Sequence, residues 1–242
     1  MSKTFVMIHG SWHGGWAWQS VARQLASKGH RAYAPTLPGH EPGASRVGIT
    51  HQDYVDAVIT YLKQHNLNEV VMVGHSFGGS VISRVAQYLP KQIKQLVFLD
   101  AFVLANGESV YDNLPGEFKT LLNQLAQDSP DNSTVVPWEI WRDHFIQDAS
   151  EEVARLLWGH LTPEPNRPNI EKLDLRAFER LDIPRSFISC RQDVALPPGS
   201  FHPQMSSRLG KCKVVEMDGS HEVLFTRPAE VADKLIHASN GA

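Results

Sequence analysis

The sequence predicts an α/β fold, a mainly parallel central sheet with helices on both faces, on the strength of three observations. Short apolar runs of strand length alternate with helical patterns along most of the chain. A β-branched run at 70–73 passes straight into Gly74-His75-Ser76-Phe77-Gly78 and then into a helical pattern, a strand–turn–helix junction. One stretch, about 102–182, breaks the alternation with helical spacing and no convincing strand, and reads as a helical cap inserted over the strand ends. We expect one domain over 1–242 carrying that insert, since a chain of this length can bury a sizeable core.

The elements follow in order. A strand at 4–8 leads into a glycine-broken loop, His9-Gly10-Ser11-Trp12-His13-Gly14-Gly15, and a helix starts near Trp16. A strand at 31–34 precedes a helix at Thr50, where Asp53 three residues on resembles a capping box, Asp standing in for the usual Glu or Gln. The strand at 69–73 and the helix from near Phe77 to about Leu89 flank Ser76, and a strand follows at 96–99. Within the insert, 117–127, 138–146 and 151–158 have helical spacing, and a proline-rich segment follows at 161–168. Strands at 185–189 and 213–217 complete the sheet, and Pro228 suits the first turn of the last helix, where its missing N–H is not required. Parallel sheets of this kind bind ligands beyond the carboxyl ends of their strands. Ser76 falls at one of those ends.

Composition narrows the partners. A net charge of −3 without long runs of like charge argues against nucleic acid and anionic membrane surfaces. The two cysteines, Cys190 and Cys212, lie in or beside expected strands and read as small buried hydrophobes rather than a disulfide or metal framework. No apolar run reaches membrane-spanning length, and the first strand begins without a leader pattern, so a cytoplasmic location is the expectation. A small-molecule substrate, and a monomer or homodimer, fit this balance.

Gly74-His75-Ser76-Phe77-Gly78 proposes a reactive atom. A Cβ at Gly74 or Gly78 would collide with the neighbouring strand or helix, and the serine would sit in a strained turn with its hydroxyl lifted clear. The helix N-terminus aimed at the same point favours developing negative charge. Chance alone gives such a glycine–serine–glycine spacing about 0.1 times in a chain of this length, so the partners matter. A serine hydroxyl needs an imidazole to take its proton, and the imidazole needs a carboxylate to fix its tautomer. Among 12 histidines, His221 stands out because it follows the last strand through Asp218-Gly219-Ser220. Asp193, beyond the strand at 185–189, is the expected acid. Asp100 competes from the end of 96–99, while Asp218 shapes the turn. Backbone N–H groups of Phe77 and Ser11, with Trp12 next, are the expected oxyanion donors. The first loop lacks G-K-[ST], so it is no phosphate cradle, and His9 and His13 on a glycine-broken loop do not suggest a metal. Trp12, Trp138, Trp141 and Trp158 are the expected substrate-binding aromatics, an apolar roof for a bulky substrate; the last three could instead form only the insert's own core.

Together His9-Gly10-Ser11-Trp12-His13-Gly14-Gly15-Trp16, Gly74-His75-Ser76-Phe77-Gly78-Gly79, Asp193-Val194-Ala195-Leu196-Pro197 and Gly219-Ser220-His221 resemble the α/β-hydrolase superfamily. More narrowly, the chain resembles its small esterases related to plant methylesterases and hydroxynitrile lyases, a branch that includes bacterial carboxylesterases, some acting on pyrethroid-type esters. The resemblance implies cofactor-independent cleavage of carboxylic esters by Ser76, His221 and Asp193 through an acyl-enzyme. The lyases carry a threonine where Gly10 stands and a lysine after the catalytic histidine, where this chain has Glu222, so hydrolysis is the expected chemistry. A lyase-like or other cofactor-independent enzyme, an acyltransferase and a non-catalytic ligand receptor are the alternatives on the same fold.

Overall fold

A computed structural model describes residues 2–240; residues 1, 241 and 242, which the expected domain also takes in, lie outside them. From the N-terminus the elements are β1 (Thr4–Ile8), α1 (Gln19–Ser27), β2 (Arg31–Tyr33), α2 (His51–Gln64), β3 (Val70–His75), α3 (Gly78–Tyr88) and β4 (Ile93–Leu99). Then come α4 (Gly116–Asp128), β5 (Ser133–Thr134), α5 (Trp138–Ile140), α6 (Glu151–Trp158), β6 (Glu164–Pro165), α7 (Arg167–Ile170) and α8 (Arg176–Glu179). The last are β7 (Arg185–Cys190), α9 (Phe201–Ser207), β8 (Lys213–Met217), α10 (Val223–Thr226) and α11 (Pro228–Ala238).

Six strands form one sheet in the order β2-β1-β3-β4-β7-β8, and every pairing in it is parallel. Alternate strand residues enter two different cores, as covering both faces of a parallel sheet requires. Val6, Ile8, Met72, Leu96, Phe98 and Phe187 pack with α2 and α3 on one face. Phe5, Met7, Val71, Val73, Val97, Leu99 and Ile188 pack with α1 and α11 on the other. That double burial explains why the strands read as continuous apolar runs, each fully buried large side chain contributing about 1.5–3 kcal/mol. The strand order reverses between β1 and β3, so the loop after β1 and the turn after β3 open on the same crevice.

The expected boundaries shift at the centre of the sheet. β3 runs two residues further than its β-branched run, through Gly74 and His75, and β4 begins three residues earlier than expected, at Ile93. Backbone pairing continues past the apolar pattern because neighbours on both sides supply partners: Gly74 aligns with Ile8 and Phe98, and His75 with Leu99. The Thr50/Asp53 capping box is present in both directions. Between β4 and β7 the helices expected near 117–127 and 151–158 form, but 138–146 divides into α5 and a π-helical turn over Trp141–Phe145. The same stretch also holds an antiparallel two-residue pair, Ser133 with Pro165 and Thr134 with Glu164, which no alternation in the sequence announced. Cys190 is buried and Cys212 half-buried, both as free thiols. No described helix is long and apolar enough to cross a membrane.

Candidate active site

Ser76 follows β3 directly and adopts φ +52, the left-handed region that a non-glycine residue occupies only under constraint. The constraint is visible. Its N–H donates to the Leu99 carbonyl at 3.2 Å, and its own carbonyl accepts from Gly79 at 3.1 Å and from Phe102 at 3.0 Å. The glycines allow the close approach expected of them. A Cβ on Gly74 would stand 2.6 Å from the Gly78 carbonyl oxygen, and one on Gly78 would stand 2.6 Å from that of Ile8.

Ser76 and His221 line one cavity of about 40 Å³. His221 Nδ1 and Asp193 Oδ2 are 2.6 Å apart and both groups are buried, while Asp193 Oδ1 accepts from the Leu196 N–H at 2.9 Å. The ring is held from behind as well: His75 Nε2 donates to the His221 carbonyl at 3.0 Å, with the ring centroids 4.7 Å apart. Burial alone would depress the His221 pKa, but the Asp193 carboxylate overrides it and, with Glu222 and Asp100, raises it to about 9. Asp218 instead pairs with Arg191 at 2.9 Å on the surface. Asp100 is buried, with Oδ2 accepting from the Cys190 N–H at 2.9 Å.

The N–H groups of Ser11 and Phe77 have no acceptor among the described residues. Ser11 lines the cavity, and Phe77 turns its ring into the core. Trp12 is different: its N–H donates to Glu164 Oε2 at 3.1 Å, and its carbonyl accepts from Thr162 at 2.8 Å. Its backbone N–H is therefore already committed, whereas that of Ser11 is not. Neighbouring His9 is a structural ring, with Nε2 accepting from the Leu37 N–H at 3.0 Å and Nδ1 donating to the Gly10 carbonyl at 2.8 Å.

The structure brings Trp12 to the cavity but not Trp138, Trp141 or Trp158. Trp141 is fully buried and donates to the Ala154 carbonyl at 3.0 Å, Trp158 donates to the Val136 carbonyl at 2.9 Å, and Trp138 meets the Trp158 ring edge at 6.0 Å. These three pack within the stretch between β4 and β7, where two indole N–H groups are spent on its backbone and the Trp138 ring meets Trp158 edge-on. Tyr111, Leu114, Phe118, Leu122 and Phe145 roof the cavity instead. Phe118 and Leu122 stand at i and i+4 of α4, a spacing the sequence displayed without saying which way it faced.

Two buried groupings escaped sequence reasoning. Glu164, from the proline-rich segment, accepts from Trp12 N–H, Tyr54 Oη–H at 3.3 Å and Asn169 Nδ2 at 3.2 Å, with His40 Nε2 3.2 Å away. His13 Nε2 lies 3.5 Å from Glu222 Oε2, both enclosed. Burial lowers the His13 pKa to about 3 and raises that of Glu222 to about 8, so near pH 7 this is a pair of neutral groups rather than an ion pair.

A model of the alpha/beta hydrolase family matches residues 5–234, and the chain belongs to that family. An extracellular α/β-hydrolase from a Paenibacillus species, described as sharing structural and functional homology with Tobacco Salicylic Acid Binding Protein 2, superposes with a TM-score of 0.95 at 38% identity, covering 98% of this chain and 99% of that one. A carbendazim-hydrolyzing esterase from a Nocardioides species is 40% identical over 113 residues, 46% of this chain and 47% of the relative. The putative chloroplastic methylesterase 15 of Arabidopsis thaliana is 26% identical over 254 residues, 98% of this chain and 57% of the relative. The chain thus spans about half the length of these two curated relatives.

Proposed function

We propose that the chain is a carboxylic-ester hydrolase that forms an acyl-enzyme on Ser76 and favours small hydrophobic esters. One observation carries the reading: Ser76 opens on the same small cavity as a histidine held 2.6 Å from a buried carboxylate. Ser76 Oγ attacks the ester carbonyl while His221 Nε2 takes its proton and Asp193 holds the Nδ1–H. The Ser11 and Phe77 amides donate to the oxyanion, and His221 then protonates the departing alcohol. Water, deprotonated by His221, releases the acid. No step needs a cofactor or metal ion. The relatives described above, a carbendazim-hydrolyzing esterase and a putative methylesterase, support this class. Gly10 supports hydrolysis over lyase chemistry, since a Cβ there would stand 2.9 Å from Ser76 Cβ and leaves no easy room for a threonine.

The cavity has room for about three water molecules, enough for an acetyl-sized group. It shares Phe118, Phe145 and Ala195 with an outer apolar groove of about 440 Å³ that also includes Leu121, Ile140 and Val194. The expected substrate therefore has one short arm inside and one larger apolar arm outside. A panel of p-nitrophenyl and methyl esters tests this: kcat/KM should fall as the acyl chain of p-nitrophenyl esters lengthens from two to eight carbons. Saturable binding without turnover of any ester would overturn the hydrolase reading in favour of a ligand receptor.

His221 must be neutral to accept the Ser76 proton, so kcat/KM should rise with pH through a limb above the ordinary histidine value of 6.5. Glu222 ionises near pH 8, inside that limb, and its charge then holds the His221 proton more firmly. Glu222→Gln removes that charge and should move the limb down, by about half a unit. An unchanged or higher limb in the pH profile contradicts the assignment.

A further inference from the structure

Asp100 and Asp193 stand at the ends of neighbouring strands, β4 and β7, which pair in parallel with Leu99 opposite Ile188. One carboxylate oxygen of each, and one ring nitrogen of His221, lie within 4.8 Å of one another, and all three residues are buried. Asp100 reaches this position at φ +36, with its N–H given to the Ile188 carbonyl at 2.9 Å and Oδ2 accepting from the last residue of β7. A buried second carboxyl beside a histidine–carboxylate pair is costly, because two like charges this close cannot both be held ionised without loss. A strand-end turn could be made more cheaply by asparagine or glycine.

We propose that Asp100 is a reserve acid for His221, a positioning residue able to orient and steady the imidazole when Asp193 carries no charge. The inference rests on the triad reading given above. In the intact site, burial first and the Asp193 charge second keep the Asp100 carboxyl protonated well above the usual carboxylate range, while Cys190 and His221 pull the other way. Replacing Asp193 by asparagine removes the second of those causes, so Asp100 releases its proton to solvent more readily and leaves a carboxylate facing the imidazole.

The test is the set Asp193→Asn, Asp100→Asn and the double variant on p-nitrophenyl acetate, with pH profiles. Amidating a lone triad acid costs about 10⁴-fold in kcat. Here Asp193→Asn should lose only about 10²-fold, more than Asp100→Asn, and the double variant should fall to about 10⁴-fold. The acid limb of Asp193→Asn should carry two ionisations, His221 and Asp100, and that of the double variant one. A single variant as inactive as the double overturns the proposal, as does a one-proton limb. Should Asp100→Asn lower the thermal midpoint sharply, the Asp193→Asn profile decides alone. Ser76→Ala separates the levels: inactive Ser76→Ala with uncoupled acids removes only the reserve role, whereas active Ser76→Ala removes the triad beneath it.

Discussion

Ser76→Ala is expected to lower kcat on a short p-nitrophenyl ester by about 10³-fold or more while leaving KM and the thermal midpoint nearly unchanged. The asymmetry follows from where the side chain spends its bonds. Ser76 Oγ makes no hydrogen bond within the described residues, whereas its backbone N–H and carbonyl tie the turn to Leu99, Gly79 and Phe102. Alanine keeps those backbone bonds and bears the same φ penalty as serine, so the fold loses little. Chemistry loses the proposed nucleophile, and what remains is the binding groove and two free amides. Steady-state kinetics beside a melting curve read both halves. An unaffected kcat would sink the nucleophile assignment; an equal collapse of stability would mean that the hydroxyl had been holding the turn.

The parallel sheet was legible because strands buried on both faces leave long apolar runs, as 4–8 and 70–73 do. The meeting of Ser76, Asp193 and His221 was legible for a topological reason, since strand ends of a parallel sheet share one edge. The limits were equally physical. Pairing in β3 and β4 extends beyond the apolar pattern because backbone hydrogen bonds are indifferent to side-chain type. In the stretch between β4 and β7, aromatic content alone does not say which way a ring faces. Trp141 and Phe145 share one π-helical turn, yet only Phe145 reaches the cavity. Glu164 sits among prolines with no periodicity to mark it, and its role depends on Tyr54, Asn169 and the Trp12 N–H arriving from distant segments. That the Trp12 N–H is taken while the Ser11 N–H is free likewise depends on that one long-range bond.

Gly74→Ala is expected to cost about 3 kcal/mol or more, lowering the thermal midpoint by roughly 6–12 °C in a chain of this size. The added Cβ would meet the Gly78 carbonyl oxygen at 2.6 Å, the Gly78 carbonyl carbon at 2.7 Å and the Gly79 nitrogen at 2.8 Å. All three are backbone atoms in the first turn of α3, so no flexible side chain can give way and the helix itself must lift from β3. That turn also carries the Phe77 N–H next to Ser76. A displacement of about 1 Å there should lower kcat by about 10²-fold on top of the loss of stability. Gly116→Ala is the matched control: it opens α4, has nothing within 4 Å of the added Cβ, and should leave the midpoint unchanged or slightly raised. Melting curves and kcat for the two variants decide whether helix-to-strand distance at the elbow, rather than glycine replacement as such, sets the stability and rate. Equal effects at Gly74 and Gly116 would remove the steric account.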